Sequence, residues 1–472
     1  MKLFITIFAF MPLWLHATRH TLQAVSGSII ISNNIVTPAL ADGDTLYIPG
    51  GGAYTNVEYQ NLTSDTVKKI HIIWLKGSVV FSPVTFQQCY DFNVVGVVIE
   101  NMHHFNWYGT RKESYNMHNI DFVKCVWNNP KDSYKAQPCI QWDDQFAAKP
   151  MVFTGNKAQT FYNNRYIDCR FDGFLNVTVV QLSANWNRAN KEINRSICLD
   201  FVFLRDTFTN VANTPGTTVS AISGTGSNCR VEACYFKYIS GPGTGHAAHS
   251  QSILWYGTID VLRSKQEDSY AAMLRAVPLA WTGLPGYRNN AACRFYRNII
   301  VRQLNYSAVE FGQNNVGNRD SAHGFYQCKA ICVYNTVYAT VRVTHNRPGY
   351  YYGFVCDVVN QDTIECKYNA GCKLEYDYPY DSLKRGYAVA TVSRAALQSD
   401  IAENKIIPKY TTAVFLDTFH FVPGPLLRLQ KPGEKYDFSD TDYAGNKLPL
   451  SGPLYAGAIE YKTAVKKSTK KK

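Results

Sequence analysis

Helical periodicity is nearly absent from this chain of 472 residues. Apolar residues at three- to four-residue spacing, the mark of an amphipathic helix, occur only over residues 393–403. Charged residues are also scarce, at 18%, whereas Tyr and Phe are abundant and Asn and Gly are scattered through every segment. That composition is all-β and rich in turns. Long apolar runs are confined to the start, where Met1-Lys2 leads into residues 3–15 and then Leu15-His16-Ala17. This is the pattern of a secretory leader cleaved after Ala17, and it is too short to span a bilayer. No other stretch reaches spanning length and no cysteine follows the run to accept a lipid, so a soluble bacterial protein is expected, secreted, periplasmic or on the cell surface. CxxC pairs are lacking as well, which argues against a zinc site.

Cysteine itself is plentiful, but the count of 13 is odd and the spacing does not suggest a disulfide framework. Five cysteines stand in one recurring phrase: Lys124-Cys125-Val126-Trp127-Asn128, Asp168-Cys169-Arg170-Phe171-Asp172, Ala233-Cys234-Tyr235-Phe236, Ala292-Cys293-Arg294-Phe295-Tyr296 and Ile331-Cys332-Val333-Tyr334-Asn335. Alternation of period two with a turn residue at the end describes a short strand buried on one side. Its return at irregular intervals suggests one strand of a coil that stacks on itself. Cys125, Cys169, Cys234, Cys293 and Cys332 then form an inward ladder of small reduced hydrophobes. If local bridges form, the pairs are Cys229 with Cys234, Cys328 with Cys332 and Cys366 with Cys372. Asn163-Asn164, Asn289-Asn290 and Asn314-Asn315 are expected at turns, where asparagine tolerates left-handed backbone.

Asp42-Gly43-Asp44-Thr45-Leu46-Tyr47-Ile48-Pro49-Gly50-Gly51 resembles the opening coil of right-handed parallel β-helix proteins of the pectate-lyase-like superfamily, and the Cys-x-Phe phrase is similar to that superfamily's strand-and-turn signature. Near the C-terminus, Asp442-Tyr443-Ala444-Gly445-Asn446-Lys447-Leu448-Pro449 and Gly457-Ala458-Ile459-Glu460-Tyr461 resemble the closing phrase of many exported bacterial β-helix proteins. Leu448 stands where that phrase has arginine, and Tyr455-Ala456 where it has Asp-Ile. The implied fold is all-β, a single-stranded right-handed parallel β-helix solenoid with a C-terminal cap module. The expected division is a leader at 1–17, a β-helix at 18–403, the cap module at 404–461 and a disordered basic tail at 462–472. Lysines 466, 467, 470, 471 and 472 in that tail supply five of the net +12 charges, so the folded part is only modestly basic. An acidic polysaccharide is a suitable partner. Nucleic acid is not expected, because no recognisable binding module is present.

Chemistry concentrates in residues 241–320, which three successive coils are expected to place side by side on one outer face. Uronate cleavage by β-elimination needs a cation to neutralise the sugar carboxylate and a base to take the neighbouring proton. Lys265, Arg275 and Arg288 are candidates for the cation, and His246 and Tyr287 for the base. His249, Glu267, Trp281, Tyr306 and Glu310 are candidates for substrate binding, the aromatics by offering flat apolar faces to sugar rings. Trp281, Tyr287 and Tyr306 are core instead if they face inward, the run Tyr350-Tyr351-Tyr352 suits either reading, and Lys265, Glu267, Arg275 and Arg288 can equally be salt bridges between coils. The turn-like Gly245-His246-Ala247-Ala248-His249 segment can be only a turn. Hydrolysis requires two flanking carboxylates, for which Asp143-Asp144, Glu267-Asp268 and Glu310 are available. The N-T-D and R-I-K phrases of the β-helix polygalacturonases are missing. The acidic calcium cluster of pectate lyases is not evident, so no metal ligand and no cofactor are assigned, calcium staying open. The sequence leads to a lyase on uronate-containing chains, with a glycoside hydrolase or a non-catalytic glycan-binding or cell-surface β-helix as alternatives.

Overall fold

The computed structural model describes residues 17–23, 27–81, 84–100, 105–106, 117–128, 140–142, 160–176, 178–182, 186–187, 192–193, 197–213, 218–240, 250–281, 291–303, 308–312, 325–338, 356–359, 363–372, 390–392, 398–407 and 414–460. Short strands from successive turns of the chain pair in parallel and in register, forming three columns. Face one contains Ile140–Trp142, Thr178–Leu182, the first halves of Ser220–Glu232 and Gln251–Leu262, then Ala272–Trp281, Val309–Gly312, Cys356–Val359 and Ala390–Val392. Face two runs from Arg19–Thr21 and Thr45–Ile48 through Asp121–Val123, Arg165–Ile167, Val202–Leu204 and Ala292–Tyr296 to Gln398–Ala402. Face three runs from Gly27–Ile31 through Val126–Asn128, Arg170–Leu175, Thr207–Ala212, Tyr235–Ile239, Lys265–Ser269 and Ile299–Gln303 to Lys405–Ile407. The protein is a right-handed parallel β-helix.

Two devices turn the chain from face two into face three. The first corner residue takes left-handed backbone at Lys124, Asp168, Arg205, Ala233, Arg263, Arg297, Tyr334, Tyr368 and Glu403. Such a conformation costs roughly 1–2 kcal/mol outside glycine. It is offset here because the corner N–H donates to a carbonyl of the next coil, as Asp168 does to Leu204 and Arg205 to Glu232, each at 2.9 Å. The second corner residue forms a column in which a side chain accepts the N–H from the coil before. Asn298, Asn335, Asn369 and Asn404 each do this through Oδ1 at 2.9 Å, and each Nδ2 also donates to a backbone carbonyl. Earlier in the same column stand Cys125, Cys169, Asp206, Cys234 and Ser264.

That column corrects the expectation of five equivalent thiols. Cys125, Cys169 and Cys234 share the corner, but Cys293 lies within a strand opposite Ala330, and Cys332 lies opposite Phe295 and Cys366. The phrase recurs while its position slips, because the corner after Cys293 is formed by Arg297 and Asn298. The eleven cysteines whose side chains are described are all buried and unbridged, including those of the three pairs considered above. Residues 398–402 form a strand opposite Thr363–Lys367, so the helical spacing at 393–403 does not give a helix there. Asn163 has the expected left-handed backbone, and Asn164 is buried, accepting from Ile120 N and donating to Met117 O. The other two asparagine pairs lie outside the described residues.

Inside the coil, aromatic rings stack at the strand repeat. On face three, Trp127, Phe171, Phe208 and Phe236 follow one another at 4.7, 4.5 and 5.2 Å with nearly parallel planes. Phe122, Tyr166 and Phe203 do the same on face two, at 5.1 Å for each step. Strands about 4.8 Å apart impose this distance, so one residue type repeated at one register becomes a continuous stack. Where the long strand Ser220–Glu232 passes over the coil beneath it, Gly224 and Gly226 are required: a Cβ at either would run into the carbonyl of Leu182 or Cys198.

Residues 414–460 pack along the side of the coil. Phe415, Phe421, Leu427, Ala458 and Ile459 cluster with Ile299, Val301, Ala370 and Cys372 of face three, and Leu429 and Ala456 with Leu262, Tyr296, Val333, Tyr334 and Tyr368 of face two and its corner. Arg297, wholly buried at a corner, pegs this strap in place. Its guanidinium donates to Ala458 O at 3.1 Å and to Glu460 Oε1 at 3.2 Å, and it lies 4.6 Å from the centre of the Tyr334 ring. Buried Asp442 accepts from the backbone N–H groups of Asn446 and Glu460. Among the described residues no helix is long and apolar enough to cross a membrane.

Candidate functional site

The region rich in polar residues is divided by the coil between two faces. Lys265 and Glu267 are on the face-three strand Lys265–Ser269, whereas Arg275 is on the face-one strand Ala272–Trp281 that follows after Tyr270 and Ala271. The expectation that these residues sit side by side on one outer face is therefore corrected: a corner intervenes.

On face three, Lys265 Nζ lies 2.5 Å from Glu267 Oε1, and Tyr235 of the preceding coil donates its hydroxyl to Glu267 Oε2 at 2.5 Å. Burial pulls the Glu267 pKa upward, but the bonds from Lys265 and Tyr235 outweigh it and hold the carboxylate below its ordinary value. Burial, and then the neighbouring Glu267 carboxylate, push the Tyr235 phenol up, so it keeps its proton. The strap's Phe421 ring is centred 6.0 Å from Lys265 Nζ. Lys265 is thus committed to an ion pair within one strand of the coil wall, beside the strap's Phe421.

On face one, parallel pairing sets Arg275 opposite Leu254 on one side and Glu310 on the other. Arg275 Nε lies 3.0 Å from Glu310 Oε1, with the two side chains 14% and 15% exposed. Burial raises the Glu310 pKa, and Arg275 only partly counteracts it. A carboxyl poised to hold a proton beside a fixed guanidinium is a suitable pair for acid chemistry on an anionic substrate. Ser223 and Gln181 continue the same register across the preceding coils.

His246, His249, Tyr287, Arg288 and Tyr306 lie outside the described residues, as do Asp143-Asp144 and Tyr350-Tyr351-Tyr352. For Trp281 the structure gives the backbone, at the end of a face-one strand and opposite Phe325 in an antiparallel pair. In the sequence, residues 241–249 lead into Gln251–Leu262, 282–290 follow Ala272–Trp281, and 304–307 lead into Val309–Gly312. Each of these face-one strands is thus flanked by a connection bearing candidate residues. Tyr235 was not anticipated, since its partnership with Glu267 arises only when one coil stacks on the next. Among the described residues no group of three His, Cys, Asp or Glu could hold a metal ion, so calcium has no candidate cage there.

No family model matches the chain, and no curated protein matches it. Solved structures similar to it include a mutant of the periplasmic alginate epimerase AlgG, at 11% identity and TM-score 0.27 over 80% of this chain and 85% of that one. The Agl-KA catalytic domain aligns at 12% identity and TM-score 0.25, over 77% of this chain and 63% of that one. A complex of the alginate lyase AlyF-OU02 aligns at 11% identity and TM-score 0.25, over 93% and 92%. Values this low carry no argument about activity, and the fold described above rests on the strand register.

Proposed function

We infer that the protein is an exported carbohydrate-active enzyme that cleaves uronate-containing polysaccharide by β-elimination, with its site on the outside of face one. The observation supporting this reading is the half-buried Arg275–Glu310 pair, in which burial keeps the carboxyl's pKa up despite its cationic neighbour. In the proposed reaction Arg275 takes the substrate carboxylate, which acidifies the adjacent C5–H. A base from the flanking connections, His246 or Tyr287, removes that proton, with Arg288 as a second cation. The C–H electron pair forms the C4–C5 double bond, the C4–O bond breaks, and Glu310 supplies a proton to the departing glycosidic oxygen. Trp281, His249 and Tyr306 are proposed to contact neighbouring sugars. Lys265 and Glu267 are withdrawn from the reaction, because their charges are spent on each other beneath the strap.

The test is absorbance near 235 nm during incubation with alginate, pectin and chondroitin, since elimination creates a conjugated double bond. A rise with one of them that Arg275→Ala suppresses supports the reading. New reducing ends without absorbance would assign hydrolysis, and binding without either signal would assign a glycan-binding β-helix.

A further inference from the structure

The first face-two strand, Arg19–Thr21, lies beside Thr45–Ile48 with Arg19 opposite Thr45. Immediately before it, the backbone nitrogen of Thr18 donates to Asp44 Oδ1 at 2.7 Å, while Thr18 O accepts from Thr45 N at 2.9 Å. Asp44 is only 4% exposed. Its other oxygen accepts from Ala41 N at 2.8 Å and lies 3.4 Å from His20 Nε2. Burial opposes ionisation of this carboxyl, but the bonds from Ala41, Thr18 and His20 together bring its pKa below the ordinary value. Asp44 is therefore a buried anion met mainly by backbone dipoles, the arrangement in which a full positive charge has the largest effect. Ala17 and Thr18 themselves are exposed, and Ala17 is the small residue that ends the leader pattern.

We propose that, when the leader expected from the sequence is cut off after Ala17, the α-ammonium freed on Thr18 is the counter-ion of Asp44. A leader peptidase of the exporting cell would hydrolyse the Ala17–Thr18 bond. Water supplies hydroxide to the Ala17 carbonyl carbon and its other proton to the Thr18 nitrogen as the C–N bond breaks, and the proton lost by the new carboxyl then makes that amine an ammonium. The nitrogen already within hydrogen-bond distance of Asp44 thereby gains its charge in place, converting an amide bond to the carboxylate into a charge-assisted one. Cleavage thus removes the leader and locks the first coil onto the second. The proposal stands apart from the carbohydrate reading, because it uses neither face-one residues nor catalysis.

Two measurements test it. The full chain is expressed in an exporting bacterium and its product examined by intact mass and N-terminal sequencing. Thr18 is expected as the first residue, and any other first residue would overturn the proposal. Purified chains beginning at Thr18 or at Ala17, released from a cleavable tag, are then compared by thermal denaturation with and without Asp44→Asn. The Thr18 chain should melt about 1–2 °C higher, and Asp44→Asn should abolish the difference. Equal melting of the two chains, or a difference that survives Asp44→Asn, would overturn the counter-ion role. Should Asp44→Asn fail to fold, N-terminal acetylation of the Thr18 chain serves instead: a loss of the same size supports the pairing, and unchanged melting overturns it.

Discussion

Two acid–base pairs, Lys265–Glu267 and Arg275–Glu310, are alike in composition and opposite in circumstance. The first lies on one strand and is reinforced by Tyr235 beneath an aromatic ring of the strap, so that its carboxylate is held below its ordinary pKa. The second joins two coils, and burial keeps its carboxyl above its ordinary value. The same charge types therefore hold a carboxylate below its ordinary pKa in one place and leave a carboxyl above it in the other. What decides between them is the number of compensating hydrogen bonds around the carboxylate, which depends on which face of the coil each residue reaches.

The largest effect should come from the strap that covers the first pair. Arg297→Met would remove the donor to Ala458 O and leave Glu460 without its buried cation, a loss of about 3–5 kcal/mol. Thermal denaturation should register it, and limited proteolysis should cut residues 414–460 before the coil. Next, Arg275→Ala should lower polysaccharide cleavage about 100-fold or more while leaving the cooperative melting transition in place, as initial rates and a melting curve would show.

A gain of stability is expected at Asp206. It stands in the corner column where later coils have asparagine, its Oδ1 accepts from Cys169 N, and its buried Oδ2 has no partner. Burial and the neighbouring thiol of Cys169 raise its pKa well above the ordinary 3.8. Because the folded form keeps the proton, stability is full below 3.8 and is lost as pH rises from there through the folded pKa. Asp206→Asn should therefore stabilise the protein by about 1–3 kcal/mol at neutral pH, with little gain near pH 3. Melting curves at both pH values check this. The smallest effect is expected at Lys265→Met, which should change stability by about 1 kcal/mol or less and leave the cleavage rate within about twofold of wild type.

Much of the coil was legible in the sequence, because a strand buried on one side imposes period two and a turn residue at its end. Trp127, Phe171 and Phe236 were accordingly placed on the inward side. The position of each coil's corner was less legible. Lys124, Arg205, Arg263 and Arg297 all adopt left-handed backbone without being glycine or asparagine, since hydrogen bonds from neighbouring coils make up for the local cost. Sequence reading therefore grouped Cys293 and Cys332 with Cys125, and it passed over the corner at Tyr270 and Ala271 that parts Lys265 from Arg275. Arg275 and Glu310 were both picked out from sequence, but their pairing depends on the register between two strands far apart along the chain. The strap was recognisable as a closing phrase, yet nothing in that phrase pointed to Arg297 as its partner.

The most direct measurement is the rate of absorbance increase near 235 nm on a uronate polymer, compared among wild type, Arg275→Ala and Lys265→Met. Cleavage is expected from wild type and Lys265→Met, with at most a trace from Arg275→Ala. Loss of cleavage in Lys265→Met with full activity in Arg275→Ala would contradict this and move the site to face three.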